Sequence, residues 1–304
     1  QYSPEVDAFL DYRDGLKAYV RDPVLRRGVI AEFAANVREM IVASHGAGVP
    51  LLLVSPPANL RNTAPFKSQH RDPFGGADAM RFGGILEEAS KQARGDPMRN
   101  VSLLKEAVAI DPQYAATYYD LGKCYETLGM PALAKTAFNR ALDLDVCPLR
   151  ILEPMRKALR TIAAETSTPL IDAHALLESR SQWGILGSDW LVDHVHPSLQ
   201  GHQLIATELL NAMVRLGWVR GVSGWETQRD TFFQKQLASL DPLYFVHGQQ
   251  RLRNLQFWTE GRADGPPIEE RETRWSRAAA FRDGTNVSGR SDRTESFSEH
   301  DRAR

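Results

Sequence analysis

The sequence predicts an α/β protein in which short parallel-sheet strands alternate with helices and a helical repeat interrupts them. Three observations carry this expectation. The apolar run Leu51 to Val54 lacks the alternation of a strand with one face in water, so it reads as a strand covered on both faces, and Pro169 to Asp172 reads as a second short strand. Around them, apolar residues recur at three- and four-residue spacing, the mark of amphipathic helices. From about 81 to 146 the chain turns helical and an internal repeat emerges.

In chain order, residues 1–46 read as helices: Phe33, Val37, Met40 and Ile41 share a helical stripe, and Gly46 and Gly48 end it. The strand at Leu51 to Val54 stops at Pro56 and Pro57, and residues 62–80 read as a loop holding Pro65, Pro73, Gly75 and Gly76. Tyr118, Leu121, Gly122, Tyr125, Gly129, Ala134, Phe138 and Ala141 then fall at the positions of a tetratricopeptide repeat. Ala107 and Pro112 stand 34 residues before Ala141 and Val146, which marks the end of a preceding repeat. The first helix of that repeat is degenerate, with Gly84 and Glu88 where an aromatic and a small residue belong.

Leu152, Met155, Leu159 and Ile162 line one side of the next helix, and Pro169 to Asp172 follows as a strand running into a helix that Asp172 can cap. Residues 202–216 read as a helix with Ile205, Leu209 and Met213 inward, and residues 219–259 as a further helical region broken near Pro242. Beyond Glu260 the composition shifts to Gly, Ser, Arg and acids with few apolar residues, the composition of a disordered tail.

With 304 residues, 42% apolar, the chain is long enough to bury a sizeable core. A net charge of −1 supplies no basic field, so nucleic acid is not expected as a partner. Cys124 and Cys147 are too few for a disulfide scaffold or a zinc site. No segment reads as a signal peptide or as an apolar run of membrane-spanning length, which by itself assigns no compartment.

Chemistry concentrates in "DWLVDHVHPSLQGHQLIATELL", residues 189–210. Asp193-x-x-His196 places a carboxylate within reach of an imidazole in a tight turn. The carboxylate can hold one ring nitrogen and leave the other to take a proton from a serine hydroxyl. Pro197 stiffens the exit and Ser198 can cap the following helix. The plainer reading is a capped turn with a surface ion pair. A metal site from Asp193, His194, His196 and His202 is weaker still, because Pro197 argues for a turn and no distant ligand cluster supports it. His194 alternates away from His196, and His202 rides on the helix surface.

"VDHVHPSLQGHQLIA" resembles the last block of the SGNH (GDSL-type) hydrolases, in which Asp-x-x-His-Pro precedes the final helix. "LLLVSPP" and "PLIDAHALL" are similar to the fourth and fifth strands of that family, and forms with a tetratricopeptide insertion, including "NLRNTAPFKSQHR", look nearest. The resemblance spans roughly residues 25–218 and implies the C-terminal part of a flavodoxin-like, three-layer parallel-sheet fold with an α-helical tetratricopeptide insertion. The corresponding division is 1–75 and 149–218 for the SGNH-like parts, 76–148 for the insertion, 219–259 for a helical region and 260–304 for the tail. The resemblance further implies a serine ester hydrolase or acyltransferase working through an acyl-enzyme, with His196 as general base and Asp193 orienting it. Asn59 and Arg61, just after a strand's C-terminal end, are expected to line the substrate pocket. The substrate is expected to be a small-molecule, glycan or lipid ester, and no cofactor or metal is implied.

The family's nucleophile and oxyanion residues precede its fourth strand, and no Gly-x-Ser turn occurs in the first fifty or so residues here. With Gln1 in place of Met, this suggests that the nucleophile lies upstream of the chain. Ser55 is well placed at a strand end, but Pro56 and Pro57 lack the N–H that an oxyanion hole draws from the residue after the nucleophile. The alternative function is a non-catalytic scaffold that takes a protein partner through its tetratricopeptide helices, although one and a half repeats are few for a peptide-binding array.

Overall fold

Asp22 opens the first helix by accepting the N–H groups of Val24 and Leu25, with Pro23 in the first turn, so α1 runs Pro23–Gly46. The computed structural model describes residues 15–92 and 95–259, all within one compact unit. After α1 come β1 (Leu53–Ser55), α2 (Gly76–Gln92), α3 (Pro97–Ile110), α4 (Ala115–Thr127), α5 (Pro131–Leu144) and α6 (Glu153–Glu165). They are followed by β2 (Leu170–Asp172), α7 (Ala173–Glu178), α8 (Leu199–Arg215), α9 (Trp225–Ala238) and α10 (Pro242–Thr259). The expected tail at 260–304 lies outside the described residues.

β1 and β2 pair in parallel, with Leu53 opposite Leu170 and Ser55 opposite Asp172. This overturns the expected three-layer, flavodoxin-like parallel-sheet fold: among the described residues the chain is mostly helical, with ten α-helices and a single two-stranded sheet. The physical reason lies in the apolar runs. Leu51 packs with α1 and α6 before the strand begins, so a run without alternation reports burial against helices and not a doubly covered strand. Val37, Ile41, Leu159, Ile162 and Ala163 cover the Leu53 face of the sheet, whereas Val54 on the opposite face is 37% exposed. Three-residue strands are too short to make a layer that helices could sandwich.

Most of the apolar core is helix on helix. Consecutive helices α2 to α5 stack around Leu104, Leu121, Ala134, Phe138 and Leu142. Gly122 lets the α4–α5 hairpin close: a Cβ there would lie 2.5 Å from the Phe138 ring. Leu60 and Ile185, from irregular segments, join the same core and anchor two long connections to the helices. A buried pair fastens the first of these. Asp145 accepts the N–H groups of Phe66 and Lys67 at 2.8 and 3.0 Å, and Arg150 donates to the carbonyls of Asn59 and Thr63 at 2.6 and 2.9 Å, with its guanidinium 3.6 Å from Asp145. Leu177, Leu186 and Leu191 form a smaller cluster with Leu204 and Ile205 that seats α8. Among the described residues no helix is long and apolar enough to cross a membrane.

Candidate active site

The segment from Trp190 to Ser198 doubles back on itself. Leu191 bridges Pro197, the Val192 N–H donates to the His196 carbonyl at 2.9 Å, and the Ser198 N–H donates to the Trp190 carbonyl at 2.8 Å. At its tip Asp193 organises the turn: Oδ1 accepts the N–H groups of Val195 and His196 at 2.8 and 2.7 Å, an Asx-type closure. Oδ2 lies 2.6 Å from His196 Nδ1. Ser198 then caps α8 by accepting the Gly201 N–H at 3.1 Å. Gly201 is required at that approach, since a Cβ would come within 2.8 Å of the Trp190 carbonyl oxygen.

The two partners sit in different surroundings. The Asp193 side chain is 3% exposed and the His196 side chain 68%. Burial pushes the Asp193 carboxyl up, but the backbone N–H groups of His196 and Val195, the His196 ring and the nearby His194 together hold it below its ordinary value. An ionised carboxylate against Nδ1 places the ring proton there, which leaves Nε2 as the acceptor. Among the described residues Nε2 has no hydrogen-bond partner. This is an oriented imidazole with a free basic nitrogen at the surface.

His194 points inward, edge-on to Phe66 at 5.3 Å, with Nδ1 3.8 Å from Asp193 Oδ1. Burial pushes its pKa down against the pull of Asp193, with Arg150 and His196 reinforcing the fall. His202 is exposed on α8. Among the described residues no group of three or more His, Cys, Asp or Glu side chains is arranged to hold a metal ion.

Asn59 and Arg61, expected on a pocket wall, are 1% and 8% exposed, and Asn59 holds the turn from behind. Asn59 donates from its backbone N–H to the His194 carbonyl and from Nδ2 to the Asp193 carbonyl, both at 3.0 Å, while its Oδ1 accepts the Asn62 N–H. Arg61 donates to Gln182 Oε1 at 3.1 Å and lies 3.5 Å from Glu126 and 4.0 Å from Asp189. Ser55 is fully buried at the end of β1, and its hydroxyl has no hydrogen-bond partner.

Two supports of the site escaped sequence reasoning. Arg150 locks the loop that carries Asn59, and His174 accepts the Ala58 N–H through Nδ1 at 3.2 Å. Neither carries a sequence signal, because a lone Arg after a helix and a lone His at the start of one are ordinary. No family model matches the chain, and neither a curated protein nor a solved structure matches it.

Proposed function

We propose that Asp193 and His196 are the acid–base half of a serine-type ester hydrolase or acyltransferase. The observation that carries this reading is the 2.6 Å contact that fixes His196 Nδ1 on a buried carboxylate while Nε2 is left unpartnered at the surface. In that geometry Nε2 takes the proton of a serine hydroxyl as its oxygen attacks an ester carbonyl. Asp193 stabilises the imidazolium, and the proton then passes to the departing alkoxide. A water or a second alcohol repeats the sequence on the acyl-enzyme, giving hydrolysis or transfer. The likeness of the Asp193–Pro197 block to SGNH hydrolases supports the same chemistry, and nothing in the reading rests on that family's sheet.

No described hydroxyl is hydrogen-bonded to the His196 ring, so in this reading the serine and the oxyanion donors come from beyond the described residues. Fluorophosphonate labelling and ester turnover test it, on residues 1–304 and on a polypeptide extended upstream. Labelling confined to the longer protein, with turnover abolished by His196→Ala, is the expected result. Labelling of residues 1–304 would place the nucleophile within this chain, Ser55 first. If neither protein labels, the reading fails and a helical scaffold replaces it.

A further inference from the structure

A cleft of about 630 Å³ lies between α5, α6 and the start of α7, and His196 does not line it. It opens at the C-terminal end of β2, where Asp172 ends the strand and His174 begins the helix, the place where parallel strands present their ligand-binding ends. Four basic and four acidic side chains line it, so the lining as a whole is neutral. Their pairing is nearly complete. Lys135 meets Glu178 at 2.9 Å, and Arg160 bridges Glu153 and Asp172 at 2.5 and 3.3 Å.

Arg156 is the exception. It is 4% exposed, and it engages Glu153 through Nε at 2.8 Å and Nη2 at 2.6 Å. Its Nη1 has no hydrogen-bond partner. A buried guanidinium nitrogen left unpaired costs more than a neutral orphan, and such a group calls for an acceptor. His174 stands in the same cleft. Because its Nδ1 accepts the Ala58 N–H, its proton is on Nε2, which makes a loose 3.6 Å contact with Glu178.

We propose that this cleft binds a small organic carboxylate, received by Arg156 Nη1 with the Nε2–H of His174 as a second donor. The charge balance selects the class. Arg156 Nη1 and the His174 Nε2–H are two donors, which suits the two oxygens of one carboxylate, and in a lining that is neutral with Arg156 counted a ligand of one negative charge is opposed less than one of two. A phosphate dianion would find no net positive field and would have to displace Glu153 from Arg156. The cleft volume suits a molecule of sugar-acid size.

The test uses gluconate, its uncharged counterpart sorbitol, and inorganic phosphate at matched ionic strength. Each is titrated into residues 1–304 while the ring resonances of His174 are followed by NMR, with His202 as the exposed control. A saturable shift of His174 with gluconate, absent with sorbitol and phosphate and weakened at least about tenfold in Arg156→Gln, is the expected result. An equal response to sorbitol, saturation by phosphate alone, no saturable response, or gluconate affinity unchanged in the variant would each overturn the proposal. The three wild-type titrations decide the ligand class even if Arg156→Gln fails to fold.

Discussion

Replacing Asp193 by Asn keeps the shape of the side chain and removes its charge. In the wild-type turn that carboxylate accepts three hydrogen bonds, from the N–H groups of Val195 and His196 at 2.8 and 2.7 Å and from His196 Nδ1 at 2.6 Å. Hydrogen bonds to charged groups contribute roughly 1 kcal/mol more than neutral ones. The first two bonds survive in weaker form. The third is reversed, because an amide N–H facing Nδ1 donates to it and moves the ring proton to Nε2. With the imidazole largely in water, the net cost is about 2 kcal/mol, or a fall of roughly 3 °C in Tm for a chain of this size.

The pH dependence gives the sign. A carboxyl held below its ordinary value of 3.8 contributes stability that is present above that pH and lost as pH falls through the folded value. The Tm difference between wild type and Asp193→Asn is therefore expected to be full at pH 7 and to close below about pH 4. Thermal melts at stepped pH measure it, and ring ¹⁵N shifts of His196 report the tautomer. A gap that stays constant from pH 7 to pH 3, or a His196 tautomer unchanged by the substitution, would refute a charge-held imidazole.

Gly122→Ala drives a Cβ to 2.5 Å from the Phe138 ring and is expected to cost about 1–3 kcal/mol in urea denaturation, with part of the loss recovered in the double variant with Phe138→Leu. Arg150→Met leaves Asp145 buried without its counter-charge and frees two loop carbonyls, an expected loss of about 3–5 kcal/mol that a shift in the urea midpoint would show. Burial pushes the Glu178 carboxyl up, but His174 and Lys135 bring it down to about 2 from an ordinary 4.5. The Lys135 share of that stabilisation is present above pH 4.5 and fades as pH falls toward 2, whereas the His174 share requires a protonated ring. Burial keeps His174 neutral at pH 7, so Lys135, itself 40% exposed, acts alone there. Lys135→Met is expected to cost about 1 kcal/mol at pH 7 and markedly less near pH 2 in chemical denaturation at the two pH values.

Local chemistry was legible in the sequence wherever its cause is local. The Asp193–His196 contact spans three residues and depends on a turn those residues make themselves. The caps at Asp172 and Ser198 are likewise sequence-near, each accepting an N–H three residues on. The helical stripe of Val37 and Ile41 reflects the 3.6-residue period of a single helix.

Tertiary structure decided the rest. A non-alternating apolar run shows that a segment is buried but not by what, so two three-residue strands packed on α1 and α6 read like part of a full parallel sheet. Asn59 and Arg61 stand after a strand end, as pocket residues do, yet Arg150, 91 residues after Asn59, and Gln182, 121 residues after Arg61, draw them inside the fold. The Arg156 cleft is assembled from three helices and a strand end that follow one another between residues 131 and 178, and it exists only once they pack together. Its unpaired nitrogen emerges only when every neighbouring charge has found its partner, and that accounting exists only in the folded chain.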